Sequence, residues 1–161
     1  MKTCLFAGTF DPITKGHFDT IINLNKKYDK VVVAVGVNPQ KTPFFSLEDR
    51  LSFLREAFKD YTFVEVDYYN TLTVEYMKKK GIKVLVRGIR NEADLEYEKQ
   101  NEKLSLSIYP ELITEYVLAK KGEENLSSTI IRNLIKENKE YANLLPNGVY
   151  PLVESVVRSK K

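Results

Sequence analysis

Apolar residues along this chain follow two alternating rhythms. Short apolar runs recur at 2–7, 31–37, 62–66, 82–86 and 113–119. Between them, apolar positions fall at helical spacing. The run at 31–37 is β-branched and continuous, the pattern of a strand covered on both faces. Residues 17–27 carry Phe18, Ile21 and Ile22 as one helical stripe. Ser46-Leu47-Glu48-Asp49 resembles a capping box, and Leu47, Leu51, Leu54 and Phe58 follow on one face. Residues 71–80 read as a short helix stopped by Gly81. Residues 92–108 read as a charged helix ended by Pro110, and 128–138 and 151–159 as two more helices. Strands alternating with helices predict parallel βαβ units. The expected fold is α/β: one Rossmann-like, doubly wound domain over residues 1–161, with a five-stranded parallel sheet in the order 3-2-1-4-5. In such sheets ligands sit beyond the C-terminal strand ends where the order reverses, here between the first and fourth strands. Gly8, Gly88 and Gly122 are expected just after the first, fourth and fifth strands, where they border that crevice or simply make the turns.

Composition narrows the chemistry. With 161 residues, of which 43% are hydrophobic and 29% charged, the chain is long enough to bury a core without metals or disulfides. Lys and Arg total 25 against 22 Asp and Glu, a net charge of +3, which argues against a dedicated nucleic-acid or membrane-surface protein. The single Cys, Cys4, excludes an intramolecular disulfide, and with one His, His17, a Cys/His zinc site of the usual kind cannot form. The first residues hold too short an apolar stretch for a secretory signal, and no run approaches a membrane span. The expectation is a cytoplasmic protein with no nucleic-acid or membrane partner.

No GxGxxG and no GxxxxGK[ST] occurs, so the common dinucleotide and P-loop readings fail. The first strand-to-helix turn, Gly8 to His17, carries Thr9 and Gly16 and places His17 in the first helical turn. Unpaired N–H groups and the positive dipole end favour an anion there. Arg87 and Arg90 bracket Gly88 after the fourth apolar run and can converge on phosphate oxygens. Asp94 and Glu98 share a helix face. They could form a solvated acidic face, orient the arginines, or face a ribose or a metal-bound phosphate. Ser127, Ser128 and Thr129 open a helix, either as caps or as donors to phosphates. Lys41, on the loop after the second strand, is a candidate phosphate hook.

Thr14-Lys15-Gly16-His17 resembles the T/HxGH signature of the nucleotidyltransferase superfamily. Together with Arg87-Gly88-Ile89-Arg90, the Asp94-Leu95-Glu96-Tyr97-Glu98 run and Ser127-Ser128-Thr129 followed by Arg132, it is similar to bacterial phosphopantetheine adenylyltransferases over essentially the whole chain. The resemblance implies transfer of the adenylyl group of ATP to 4′-phosphopantetheine with Mg²⁺, dephospho-CoA or CoA as product or inhibitor, and a homohexamer. It implies ATP contacts at Thr9, Phe10, His17, Gly88, Ile89, Arg90, Glu98, Glu123, Glu124, Asn125, Leu126, Ser127, Ser128 and Thr129. It implies phosphopantetheine contacts at Thr9, Lys41, Thr73 (or Leu72, in the alternative register) and Arg87. His17 is expected to stabilise the transition state, aided by Lys41 and Arg90. Lys15, Ser105 and Asn133 depart from residues common in the family, which bears on the pantetheine arm and on CoA inhibition rather than on adenylyl transfer. The rival readings are a superfamily enzyme acting on nicotinamide mononucleotide or glycerol phosphate, and a catalytically silent nucleotide-binding protein.

Overall fold

In the computed structural model, which describes residues 1–123 and 126–160, the five apolar runs become the strands of one parallel sheet. These are β1 (Thr3–Gly8), β2 (Lys30–Gly36), β3 (Val64–Tyr69), β4 (Val84–Ile89) and β5 (Ile113–Leu118), in the order β3-β2-β1-β4-β5. The helices are α1 (Lys15–Asn23), α2 (Leu47–Ala57), α3 (Thr73–Lys80), α4 (Glu92–Ile108), α5 (Ser128–Lys136) and α6 (Tyr150–Ser159).

Strand alternation divides the core in two. Cys4, Phe6, Val31, Val33, Val35 and Val86 face a large cluster with α1, α2, α5 and α6. Leu5, Ala7, Val32, Ala34 and Leu85 face a smaller one closed by Val74, Tyr76 and Met77 of α3. The central position of β1 and β2 explains their near-continuous burial. Truncating a fully buried side chain such as Phe53 or Leu54 would cost about 2–5 kcal/mol. Little of this packing involves α4, which buries no residue along its length, and β5 forms an edge with Ile113 and Leu118 exposed.

Several expected boundaries move. The third strand starts later and runs on to Tyr69, because its ladder with β2 continues through Ala34↔Asp67 to Gly36↔Tyr69. The fourth runs on through Arg87 and Gly88, paired to Tyr116 and Val117 of β5. Gly8 and Gly88 therefore lie within strand ends rather than after them. Ile82 instead follows Gly81, whose φ of 72° makes the left-handed C-cap of α3. The first helix begins earlier, capped by Thr14, and its last turn is a 3₁₀ turn at Leu24–Lys26. The helix expected over 71–80 begins only at Thr73, and α5 stops at Lys136, short of the expected 138.

Candidate active site

Beyond β1 the chain turns so that Thr14 caps α1. The Thr14 hydroxyl accepts from the His17 N–H at 3.1 Å, and the Thr14 N–H donates to His17 Nδ1 at 3.1 Å. The lone histidine is thus half of a capping box. With Nδ1 accepting, Nε2 carries the proton. The ring packs edge-on against Phe10, with centroids 5.1 Å apart. Its surface is only partly covered, yet burial, followed by the charges of Arg87 and Arg90, pushes its pKa down to about 4. His17 is therefore a neutral N–H donor.

The sign of its pH dependence follows. The unfolded chain takes a proton on His17 below pH 6.5, and the folded one resists it down to about 4. Stability that is complete above pH 6.5 is lost progressively as pH falls toward 4. Turnover should show no histidine inflection between about pH 5 and 8. The imidazole NMR titration, unambiguous with one His, should have its midpoint near 4; a midpoint near 6.5 overturns the neutral donor.

Each arginine of β4 and its turn is held by one carboxylate of α4. Arg87 shares a face with Leu85. Its Nε and Nη2 donate to the two Glu98 oxygens at 3.1 and 3.0 Å, and its Nη1 to the Ala7 carbonyl at 3.0 Å. The Asp94 carboxylate accepts from Arg90 Nε at 3.1 Å and from the Arg90 N–H at 3.0 Å. Burial alone would raise the Asp94 pKa, but these bonds hold it below the usual carboxylate value. Of the three readings of the pair, orientation of the arginines is the one the geometry displays.

The three hydroxyls that open α5 are all bonded within the protein, but among the described residues only Ser128 spends its proton there. Ser127 caps the helix by accepting from the Ile130 N–H, Ser128 donates to the Pro12 carbonyl at 2.7 Å, and Thr129 accepts from Arg132 at 3.0 Å. Ser127 and Thr129 only accept and so keep their O–H protons, and α5 offers an anion these two donors beside its N-terminal amides. All three residues line a cavity of ≈ 650 Å³ together with His17, Gly88, Ile89 and Arg90. Glu98, Glu123 and Leu126 also line it. The expected contacts Glu124 and Asn125 lie outside the described residues. Gly16 abuts this space, but an added Cβ would already meet Glu123 and Leu126 at 3.4 Å, so part of the room it leaves is filled by protein.

Two further cavities share walls with their neighbours. One of ≈ 250 Å³ is lined by Arg87, Glu98, Leu72, Thr73, Ser105 and others, so Glu98 borders both it and the first. A wider one of ≈ 1380 Å³ is bordered by Thr9, Lys41, Leu72, Thr73 and Arg132. Leu72 and Thr73 both line these two spaces, so either register of the expected contact is served. The Thr73 hydroxyl is bonded to Tyr69 at 2.8 Å. Phe10 is 2% exposed and backs the His17 ring, so its side chain supports the site from beneath.

Two residues at this site escaped the sequence reading. Asp11 and Arg50 are 5% and 4% exposed and hold the first turn in place. A signal existed for Arg50: it lies on the apolar face of α2, among Leu47, Leu51 and Leu54, where a cation must have partners.

A family model described as cytidylyltransferase-like matches residues 5–134. A phosphopantetheine adenylyltransferase of Campylobacter fetus is 39% identical over 148 residues, covering 92% of this chain and 93% of its own. One of Flavobacterium psychrophilum is 39% identical over 153 residues, covering 92% and 98%. One of Dictyoglomus turgidum is 38% identical over 149 residues, covering 92% and 93%. The converging strand-end segments and these similarities lead to one assignment: the chain belongs to the cytidylyltransferase-like family and, within it, to the phosphopantetheine adenylyltransferases.

Proposed function

We propose that this chain transfers the adenylyl group of ATP to 4′-phosphopantetheine, yielding dephospho-CoA and pyrophosphate in coenzyme A synthesis. An oxygen of the acceptor phosphate attacks the α-phosphorus of ATP. The bond from that phosphorus to the bridging oxygen breaks, and pyrophosphate leaves with the electron pair. The acceptor phosphate is already anionic, so the protein need supply no general base; its task is alignment and neutralisation of growing charge. The observation that carries the reading is one cavity bordered by His17, Arg90 and the α5 N-terminus, next to others bordered by Arg87, Thr73 and Lys41. ATP would occupy the first. The acceptor phosphate would lie between Arg87, Lys41 and Thr9. Nε2–H of His17 would donate to an α-phosphoryl oxygen.

Mg²⁺ would arrive on the triphosphate as part of the nucleotide substrate and neutralise its charge. Among the described residues no three His, Cys, Asp or Glu stand together to hold an ion, which fits a metal carried by phosphates. Dephospho-CoA and CoA would bind across the same cavities. The cytoplasm suits a chain whose single Cys can form no intramolecular disulfide. Pyrophosphate release measured side by side with phosphopantetheine and nicotinamide mononucleotide tests the proposal. Release with phosphopantetheine alone is expected; release with nicotinamide mononucleotide alone, or with neither, overturns it.

Assembly as a homohexamer is part of this proposal. It rests on α4 and β5, where Leu104 is 68% exposed, Tyr97 64% and Leu118 72%, in a helix-strand pair with little else to cover it. Light scattering at micromolar concentration should give the mass of six chains, and a monomer there removes the claim.

A further inference from the structure

We infer that the buried Asp11 carboxylate is a positioning residue for the transfer, fixing where the Lys41 loop ends relative to the first strand-to-helix turn. This rests on the reading of Lys41 as a phosphate ligand. Asp11 Oδ2 accepts from the Phe44 N–H at 2.8 Å and Oδ1 from the Phe45 N–H at 2.9 Å. Asp11 borders the wide cavity, but it is 5% exposed and both oxygens accept from backbone donors, so it acts through the chain it holds rather than by touching substrate. The other end of the loop is held where the Val37 N–H donates to the Tyr69 carbonyl at 2.8 Å. Lys41 lies between these two anchors, with Pro39 and Pro43 fixing φ on either side and its own N–H donating to the Asn38 carbonyl at 3.1 Å. Phe45 is fully buried and packs edge-on against Phe53, which seats the Asp11 end of the loop on α2.

The turn that carries Asp11 is itself held by two helices. Phe10 sits at φ 48°, in the left-handed region that side chains rarely adopt. The carbonyls around it are caught by other elements. Arg50 Nη1 donates to Thr9 O at 3.1 Å, Arg132 Nη1 to Asp11 O at 2.8 Å, and Ser128 Oγ to Pro12 O at 2.7 Å. α2 and α5 therefore set the turn, and Asp11 relays that setting to the loop bearing Lys41.

Asp11→Asn puts an amide donor against one of the two loop N–H groups. It should lower kcat by about 10²-fold, since small misplacements of a binding group carry losses of that size. ATP Kd should hold, because neither Asp11 nor the loop it anchors lines the nucleotide cavity. Lys41→Ala should lose activity in the same way, and the double variant should be no slower than the slower single. Multiplying losses, or wild-type kcat in folded Asp11→Asn, overturn the positioning role and leave Lys41 intact. Wild-type kcat in Lys41→Ala removes the Lys41 reading and this inference together. If Asp11→Asn does not fold, Asp11→Glu keeps the charge and both acceptors while displacing them. Its slowing should vanish in the Lys41→Ala background, and an undiminished kcat in Asp11→Glu overturns the inference.

Discussion

His17→Ala should lower kcat by about 10²–10³ while the Kd for ATP moves little, the typical loss on removing one preorganised donor to developing charge. The ring is neutral, so it offers little to the charge already present on bound ATP. Its Nε2–H gains strength as negative charge concentrates on the α-phosphoryl oxygen, which places its effect in the transition state. Preorganisation is visible in the hydrogen bond from the Thr14 N–H to Nδ1 and in the Phe10 ring behind it. The substitution also removes half of a capping box, which costs about 1 kcal/mol and a few degrees in Tm. A structural histidine would reverse the pattern, with a large fall in Tm and turnover per folded molecule intact. Measuring kcat, ATP affinity and thermal unfolding on the one variant separates the two.

Arg87→Ala should raise the KM for phosphopantetheine by about 10–10²-fold, the worth of a charged hydrogen bond to phosphate. Arg90→Ala should do the same for ATP. Arg87 borders the cavity shared with Thr73 and Ser105, whereas Arg90 borders the one shared with His17 and α5. Arg87→Ala also strips the Glu98 carboxylate, whose side chain is 13% exposed, of its bidentate partner. The uncovered negative charge would then repel the incoming phosphate. Arg90→Ala leaves Asp94 29% exposed and better solvated, so its loss should be the smaller. Steady-state kinetics with each substrate varied decides the point, and a rise in the same KM for both variants defeats the assignment.

The parts of this fold legible in the sequence are those where local pattern and tertiary role coincide. β1 and β2 are apolar because they are central, and α4 spans 92–108 as read because Asn91 and Pro110 bracket it. The apolar pattern of β3 and β4 ends before the strands do, because Asp67, Tyr68, Arg87 and Gly88 interrupt it. Pairing with neighbours, not hydropathy, keeps those residues in the sheet. The site shows the same division. His17, Arg90 and the hydroxyls at the start of α5 stand at or beside element ends, where the sequence marks them. The partnering of Arg87 with Glu98 joins residues on β4 and α4 that spacing alone leaves ambiguous. Asp11 gains its meaning only when the turn after β1 meets the loop after β2, whereas Arg50 was marked by its place on the apolar face of α2 and lacked only its partner, the Thr9 carbonyl.

The free side of β5 bears on how the protein behaves when diluted or mutated. An edge strand with Ile113 58% exposed, beside a helix of 17 residues that buries none, is a template for unspecific strand pairing and aggregation when nothing covers it. Charged substitutions at Leu104 or Leu118 would therefore be read first in the soluble yield of an expression trial and only later in turnover. Recharging that surface would help keep a single chain in solution.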